Sequence, residues 1–177
     1  MSVVYIISRQ TKAIIFSNST YYRSIILEGT KRKESIQYPE KILDHSCLMY
    51  GSTLEGRKKA AQNILKTNVK LPIAVIPDLG VYMIPTSSHK NNDRAYLSYF
   101  HIKDYKRVKN KTLIIFQDET EYLAETSINS FDMQYKKTSQ LIVHFHREVI
   151  DRNYTNHFIE PYIKANSLRN YQRDTQK

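Results

Sequence analysis

The run Cys47-Leu48-Met49-Tyr50-Gly51-Ser52-Thr53-Leu54-Glu55-Gly56-Arg57-Lys58-Lys59 sets a helix start between two glycines and sends three cations out of it together. Ser52 and Glu55 have capping-box spacing, and Leu54, Ala61, Ile64 and Leu65 make an apolar stripe, so a helix is predicted over about residues 53 to 66. Gly56 weakens that helix by about 1 kcal/mol relative to Ala, which implies close packing or a backbone approach at that point.

Outward from this helix the chain reads as short strands. Residues 3 to 8 and 12 to 17 are β-branched runs around Arg9-Gln10-Thr11, predicting a hairpin. A third run, residues 22 to 28, ends at Gly29, and Lys31-Arg32-Lys33-Glu34 reads as an exposed loop. After Pro39, Ile42-Leu43 begins a mixed segment that reaches Gly51. Residues 72 to 77 and 80 to 84 predict a core strand pair bent at Pro77-Asp78-Leu79 and ended by Pro85. The polar stretch from Ser87 to Arg94 predicts a loop, and residues 95 to 103 a strand. Residues 112 to 117 and 121 to 126 flank Asp118-Glu119-Thr120 as another hairpin. Asn129 or Ser130 caps a second helix with Phe131, Tyr135, Ile142, Phe145 and Val149 at helical intervals. The expected class is α+β, a mostly antiparallel sheet of short strands covered by two main helices. Residues 1–150 are expected to form one domain that opens on the hairpin, and 151–177 a polar basic tail.

Composition narrows the function. The chain has 177 residues, 27 Lys+Arg against 17 Asp+Glu and a formal net charge of +10, which fits a polyanionic partner. Fourteen Tyr and six Phe supply core-building residues, so disorder throughout is excluded. A single cysteine, Cys47, forms no internal disulfide, and no basic-then-apolar leader opens the chain, so a cytoplasmic setting is expected. Runs such as Ile73-Ala74-Val75-Ile76 fall far short of the roughly 18 apolar residues that span a bilayer, so no membrane partner is expected.

Two basic clusters carry the chemistry. Arg57, Lys58, Lys59, Lys66 and Lys70 lie on or just after the first helix, and Lys103, Lys106, Arg107, Lys109 and Lys111 form the second. They suit phosphate contacts, and they equally suit a solvated helix face and a charged hairpin loop. Arg57 is singled out because an arginine can enter a narrow A·T-rich minor groove. Gly51 and Gly56, with Ser52 between them, are expected to let the helix start approach phosphate, where orphan N–H groups help. The alternative is a metal-dependent nuclease in which Asp78 and Asp104 hold a divalent cation and Lys106 steadies a phosphate, although Pro77-Asp78 is also an ordinary turn pair. His144, His146 and His157, or His101 with Cys47, match no paired zinc spacing, and Asp44-His45-Ser46 is not a triad geometry. No metal or other cofactor is expected. Tyr96, Tyr99 and Tyr105 could stack bases, but strand packing accounts for them better.

The ordered set Ser46-Cys47, Gly51, Gly56-Arg57-Lys58, Lys70-x-Pro72-Ile73, Pro85-Thr86, Ser88 and His101-Ile102 resembles the competence transcription factor (ComK) family of Gram-positive bacteria. Asn129-Ser130-Phe131 is similar to its later helix start. The chain departs from the pattern in having no tryptophan near Tyr96-Leu97-Ser98, in Arg94-Ala95 replacing a Cys-Gly, and beyond Asp151, where Phe158-Ile159-Glu160-Pro161 is a weak echo of an adaptor-binding stretch. The resemblance implies a cytoplasmic, nucleoid-associated activator of DNA-uptake genes. It implies binding to paired AT-rich promoter boxes, largely through the minor groove, as a dimer or tetramer. RNA polymerase and a Clp adaptor protein are the further partners it implies.

Overall fold

Strands with several consecutive buried residues need cover on both faces, and the layering supplies it. The computed structural model describes residues 4–87 and 92–154. Strands β1 (Thr11–Phe16), β2 (Ser24–Glu28), β3 (Lys31–Ser35), β4 (Ile73–Ile76), β5 (Val81–Pro85) and β6 (Ala95–Ser98) form an antiparallel sheet of six in the order β3-β2-β1-β6-β5-β4. Strands β7 (Ile102–Val108), β8 (Lys111–Phe116) and β9 (Glu121–Ala124) form a second, antiparallel sheet of three. Helices α1 (Pro39–Met49), α2 (Leu54–Leu65) and α3 (Ile128–Tyr154) complete the described elements. The chain groups into two units, residues 1–142 and 143–177. Of the second, the described part is the last turns of α3.

Side chains alternate across a strand, so Ala13 and Ile14, Met83 and Ile84, and Tyr96 and Leu97 go to opposite faces. Ile14, Met83 and Tyr96 join Ile42, Leu43 and Cys47 of α1 and Leu54 of α2 in one core. Ala13, Ile84 and Leu97 join Ile114 and Phe116 of β8 and Phe131 of α3 in another. The larger sheet is therefore a middle layer, with α1 and α2 on one face and the small sheet and the start of α3 on the other. Lys12 ties the layers: it is buried in β1, and its Nζ donates to Asp118 Oδ2 at 2.7 Å and Thr120 Oγ1 at 2.6 Å in the β8–β9 turn.

Several expectations are corrected. The first predicted hairpin does not form. Both edges of β1 are occupied, by β2 and β6, and residues 4–8 are drawn elsewhere, with the Ile7 amide donating to Ser46 Oγ of α1 at 2.9 Å. Lys31–Glu34 is not a loop but most of β3, an edge strand whose charges discourage a further strand from adding. The predicted strand over 95 to 103 is two strands in different sheets, separated by a 3-10 turn at Tyr99–His101. The mixed segment before Gly51 is α1, so the helix count among the described residues is three rather than two. Both caps shift: α2 is capped by Thr53 rather than Ser52, and at the start of α3 Ser127 Oγ, not Asn129 or Ser130, accepts the Ser130 amide at 3.3 Å.

Candidate nucleic-acid interface

The α1–α2 corner is a short, fully specified turn. The amides of Tyr50 and Ser52 donate to Cys47 O at 3.0 Å each, and that of Gly51 to Leu48 O at 3.2 Å. Gly51 sits at φ +74, a left-handed conformation that costs a side-chain-bearing residue about 1 kcal/mol or more. Thr53 Oγ1 then accepts the Gly56 amide at 2.9 Å, and Asp44 Oδ1 of α1 accepts the Leu54 amide at 3.0 Å. A Cβ at Gly56 would stand 3.1 Å from Ser52 Oγ and 3.2 Å from Thr53 Oγ1, which is the close packing that its place in the helix implied. The helix start expected to approach phosphate thus has partners of its own. Two first-turn donors are already taken, and a carboxylate occupies the positive end of the helix dipole.

Arg57 is part of the same corner. It is half-buried, its Nη2 donates to Tyr50 O at 3.3 Å, and its buried Nε has no hydrogen-bond partner. Burial pushes the Cys47 thiol up to about 11, opposed by the nearby Arg57 guanidinium, so Cys47 is an inert core thiol. Arg57 therefore braces the turn, a role the sequence did not suggest.

The remaining cations sort into engaged and free. Lys70, at φ +48, donates to Ser130 Oγ at 2.9 Å. Lys103 and Lys111 pair with Glu119 and Glu125. By contrast, Lys58, Lys59 and Lys66 on and just after α2, and Lys106, Arg107 and Lys109 on β7 and its turn, have no ion pair or side-chain hydrogen bond among the described residues. The second basic cluster is thus carried largely by an exposed edge strand rather than by a hairpin loop. Lys59, Gln62, Asn63, Lys66, Thr67 and Asn68 line an open hollow of about 700 Å³. It presents two amines, three carboxamides and a hydroxyl, and no carboxylate. The sequence reading missed these amides, although Gln62 and Asn63 stand three and four residues after Lys59, on its own helix face.

The family model described as ComK protein matches residues 3–149. The chain belongs to the ComK family. It is similar to the competence transcription factor of Bacillus subtilis (strain 168), 30% identical over 115 residues, which is 64% of this chain and 60% of that relative. No solved structure matches it.

The groups of the nuclease alternative stand on different elements of this ComK-family chain. Asp78 lies on a 3-10 turn beside the large sheet, and Asp104 and Lys106 on β7 of the small one, where Asp104 Oδ1 accepts the Tyr105 amide at 2.8 Å. Among the described residues no three His, Cys, Asp or Glu side chains gather as a metal site. Tyr99 stacks on Tyr135 with ring centroids 4.5 Å apart, and Tyr105 meets Phe131 edge-on at 5.0 Å, so these tyrosines pack rather than present a base-stacking face. His101 Nε2 bonds Arg9 O at 2.7 Å. Ser88, His157 and residues 158–161 lie outside the described residues. No described helix is long and apolar enough to cross a membrane.

Proposed function

We propose that this chain is a DNA-binding regulator of competence genes, acting by binding rather than catalysis, with residues 1–150 as its DNA-binding domain. The observation that carries this reading is the pair of free cation groups, Lys58, Lys59 and Lys66 on one side and Lys106, Arg107 and Lys109 on the other. Each can neutralise phosphate without breaking an internal pair, and family membership supplies the regulatory context. Lys70 and Lys103 are secondary contacts, since their amines must first leave Ser130 and Glu119. Gly51, Ser52, Gly56 and Arg57 shape the corner that presents α2.

Selection falls on AT-rich promoter boxes, largely through the minor groove, where width and flexibility vary with sequence. The exposed edge strand β7 and its turn, ending in Arg107 and Lys109, suit a narrow groove that attracts positive side chains. The working form is a dimer or tetramer in the cytoplasm, on the nucleoid. RNA polymerase is its partner at the promoter, and a Clp adaptor governs its removal.

An electrophoretic shift series on paired AT boxes of varied spacing, at several salt concentrations, tests the reading. Netropsin should compete and the major-groove ligand methyl green should not. Equal affinity for G·C duplexes of the same length would overturn it.

A further inference from the structure

Three consecutive large apolar side chains stand in solvent at the apex of the α1–α2 corner: Leu48 is 52% exposed, Met49 58% and Tyr50 40%. Ser46 and Cys47 immediately before them are fully buried, so the passage from core to solvent takes one residue. The apex is stiff. The Tyr50 amide is held by Cys47 O, its carbonyl by Arg57 Nη2, and the Gly51 amide by Leu48 O, with Gly51 supplying the left-handed conformation that the turn needs. Space beside Gly51 is open, with no atom within 4 Å of where a Cβ would stand. Apolar side chains fixed in water on a rigid mount imply an occupant.

We propose that Leu48, Met49 and Tyr50 form a wedge that enters the minor groove at one base step and kinks the duplex. The inference rests on the DNA-binding reading above and names how that site discriminates sequence. Charge complementarity points to DNA as the occupant. The helix that leaves the wedge carries the free cations Lys58 and Lys59 and is followed by Lys66; of the carboxylates at this corner, Asp44 is engaged by the Leu54 amide and Glu55 stands exposed in the first turn, so cations outnumber the free carboxylate three to one. An apolar tip followed by amines matches a base step flanked by phosphates. Size argues against a protein partner, since these three side chains offer on the order of 300 Å², against about 800 Å² per partner in a standard interface. Leu and Met are among the side chains that minor-groove proteins insert between bases. Pyrimidine–purine steps such as TA unstack most easily, so a wedge converts deformability into a preference for AT-rich boxes.

The test uses the full chain and a TA-containing AT box labelled at both ends for fluorescence energy transfer. Wild-type protein should bring the ends together. The Leu48→Ser, Met49→Ser double variant changes only exposed side chains, and its thermal midpoint should match wild type. It should leave the duplex nearly straight and lose about tenfold in affinity for the intact box. On a box with one mismatch at that step most of the loss should be recovered, because the step is already unstacked. Wild-type bending by the variant, or an equal loss on intact and mismatched boxes, overturns the wedge. So does a weakened oligomer in sedimentation with bending unchanged. A wild-type protein without preference for AT over G·C boxes would instead defeat the DNA-binding reading itself, whatever the variant does.

Discussion

Asp44 Oδ1 accepts the backbone amide of Leu54 at 3.0 Å, so the first turn of α2 is capped by a carboxylate from α1. The same bond fixes how the two helices meet and puts negative charge where an approaching phosphate would otherwise find the helix dipole. Asp44→Ala should therefore separate folding from binding. Loss of the cap should cost about 1 kcal/mol in urea unfolding, while affinity for an AT box, read by gel shift, should hold or rise. A fall in affinity without loss of stability would make Asp44 part of the DNA contact.

Arg57 is the residue most suited to a groove by sequence, and the structure finds it half-buried with its Nη2 on Tyr50 O. Removing its guanidinium frees the Tyr50 carbonyl and loosens the Gly51 turn, so Arg57→Ala should lower stability by about 1–2 kcal/mol. The salt dependence of DNA binding should keep its slope, because no phosphate contact is lost. A thermal midpoint equal to wild type with a shallower slope would return Arg57 to the interface.

The free cations predict a number. Each phosphate neutralised contributes about −0.9 to the slope of log affinity against log salt, so six such contacts give a slope near −5. Alanine at Lys59, Lys66, Lys106 or Arg107 should each reduce the slope by about 0.9 and weaken binding to all sequences alike. Alanine at Lys103, which pairs with Glu119, should change it less.

What the sequence could show was local. Apolar runs bounded by Gly29 and by Pro77-Asp78-Leu79 gave β2, β4 and β5, and Leu54 with Ala61 gave α2 to within a residue at each end. The failures share a cause. Whether residues 4–8 pair with β1 depends on both edges of β1 being occupied by segments up to some 80 residues away, and whether 95 to 103 is one strand or two depends on a second sheet. The charges of β3 look like loop because this strand buries neither face, with Lys31 to Glu34 all exposed. At the site, glycine spacing marked the corner correctly. Exposure, which distinguishes Met49 from Cys47 and Lys59 from Arg57, is a tertiary property and left no periodic trace.

Lys12 and Asp118 give stability an acid limit. The Lys12 ammonium, then the Thr120 hydroxyl, hydrogen-bond the Asp118 carboxylate and lower it to about 2 from an ordinary value near 4. A carboxyl depressed on folding contributes stability that is complete above its unfolded value and disappears as pH falls through its folded one. The stability gap between wild type and Asp118→Asn should thus be constant from pH 8 down to about 5, and should narrow between about 4 and 2. Urea unfolding at each pH measures it, and a gap that persists unchanged at pH 2 would detach the ion pair from the layer contact.

Arg94 and Glu40 join α1 to the start of β6. Arg94 Nε donates to Glu40 Oε1 at 2.7 Å, Nη2 to Oε2 at 3.2 Å, and Tyr96 OH to Oε1 at 3.1 Å. Arg94 is buried, with its guanidinium 4.1 Å from the Phe16 ring centroid. Burial, the largest single influence, would raise the Glu40 carboxyl, but Arg94, a backbone amide and the Tyr96 hydroxyl together outweigh it and hold the group below its usual range. Deleting one partner leaves the other charge desolvated, so Glu40→Ala should cost about 3–5 kcal/mol, more than any interface variant above. Because α1 carries Asp44 and the apex at Leu48 and Met49, DNA affinity should fall with it. Added osmolyte that restores folding should restore the affinity too, whereas affinity still lost in fully folded Glu40→Ala protein would place Glu40 at the DNA.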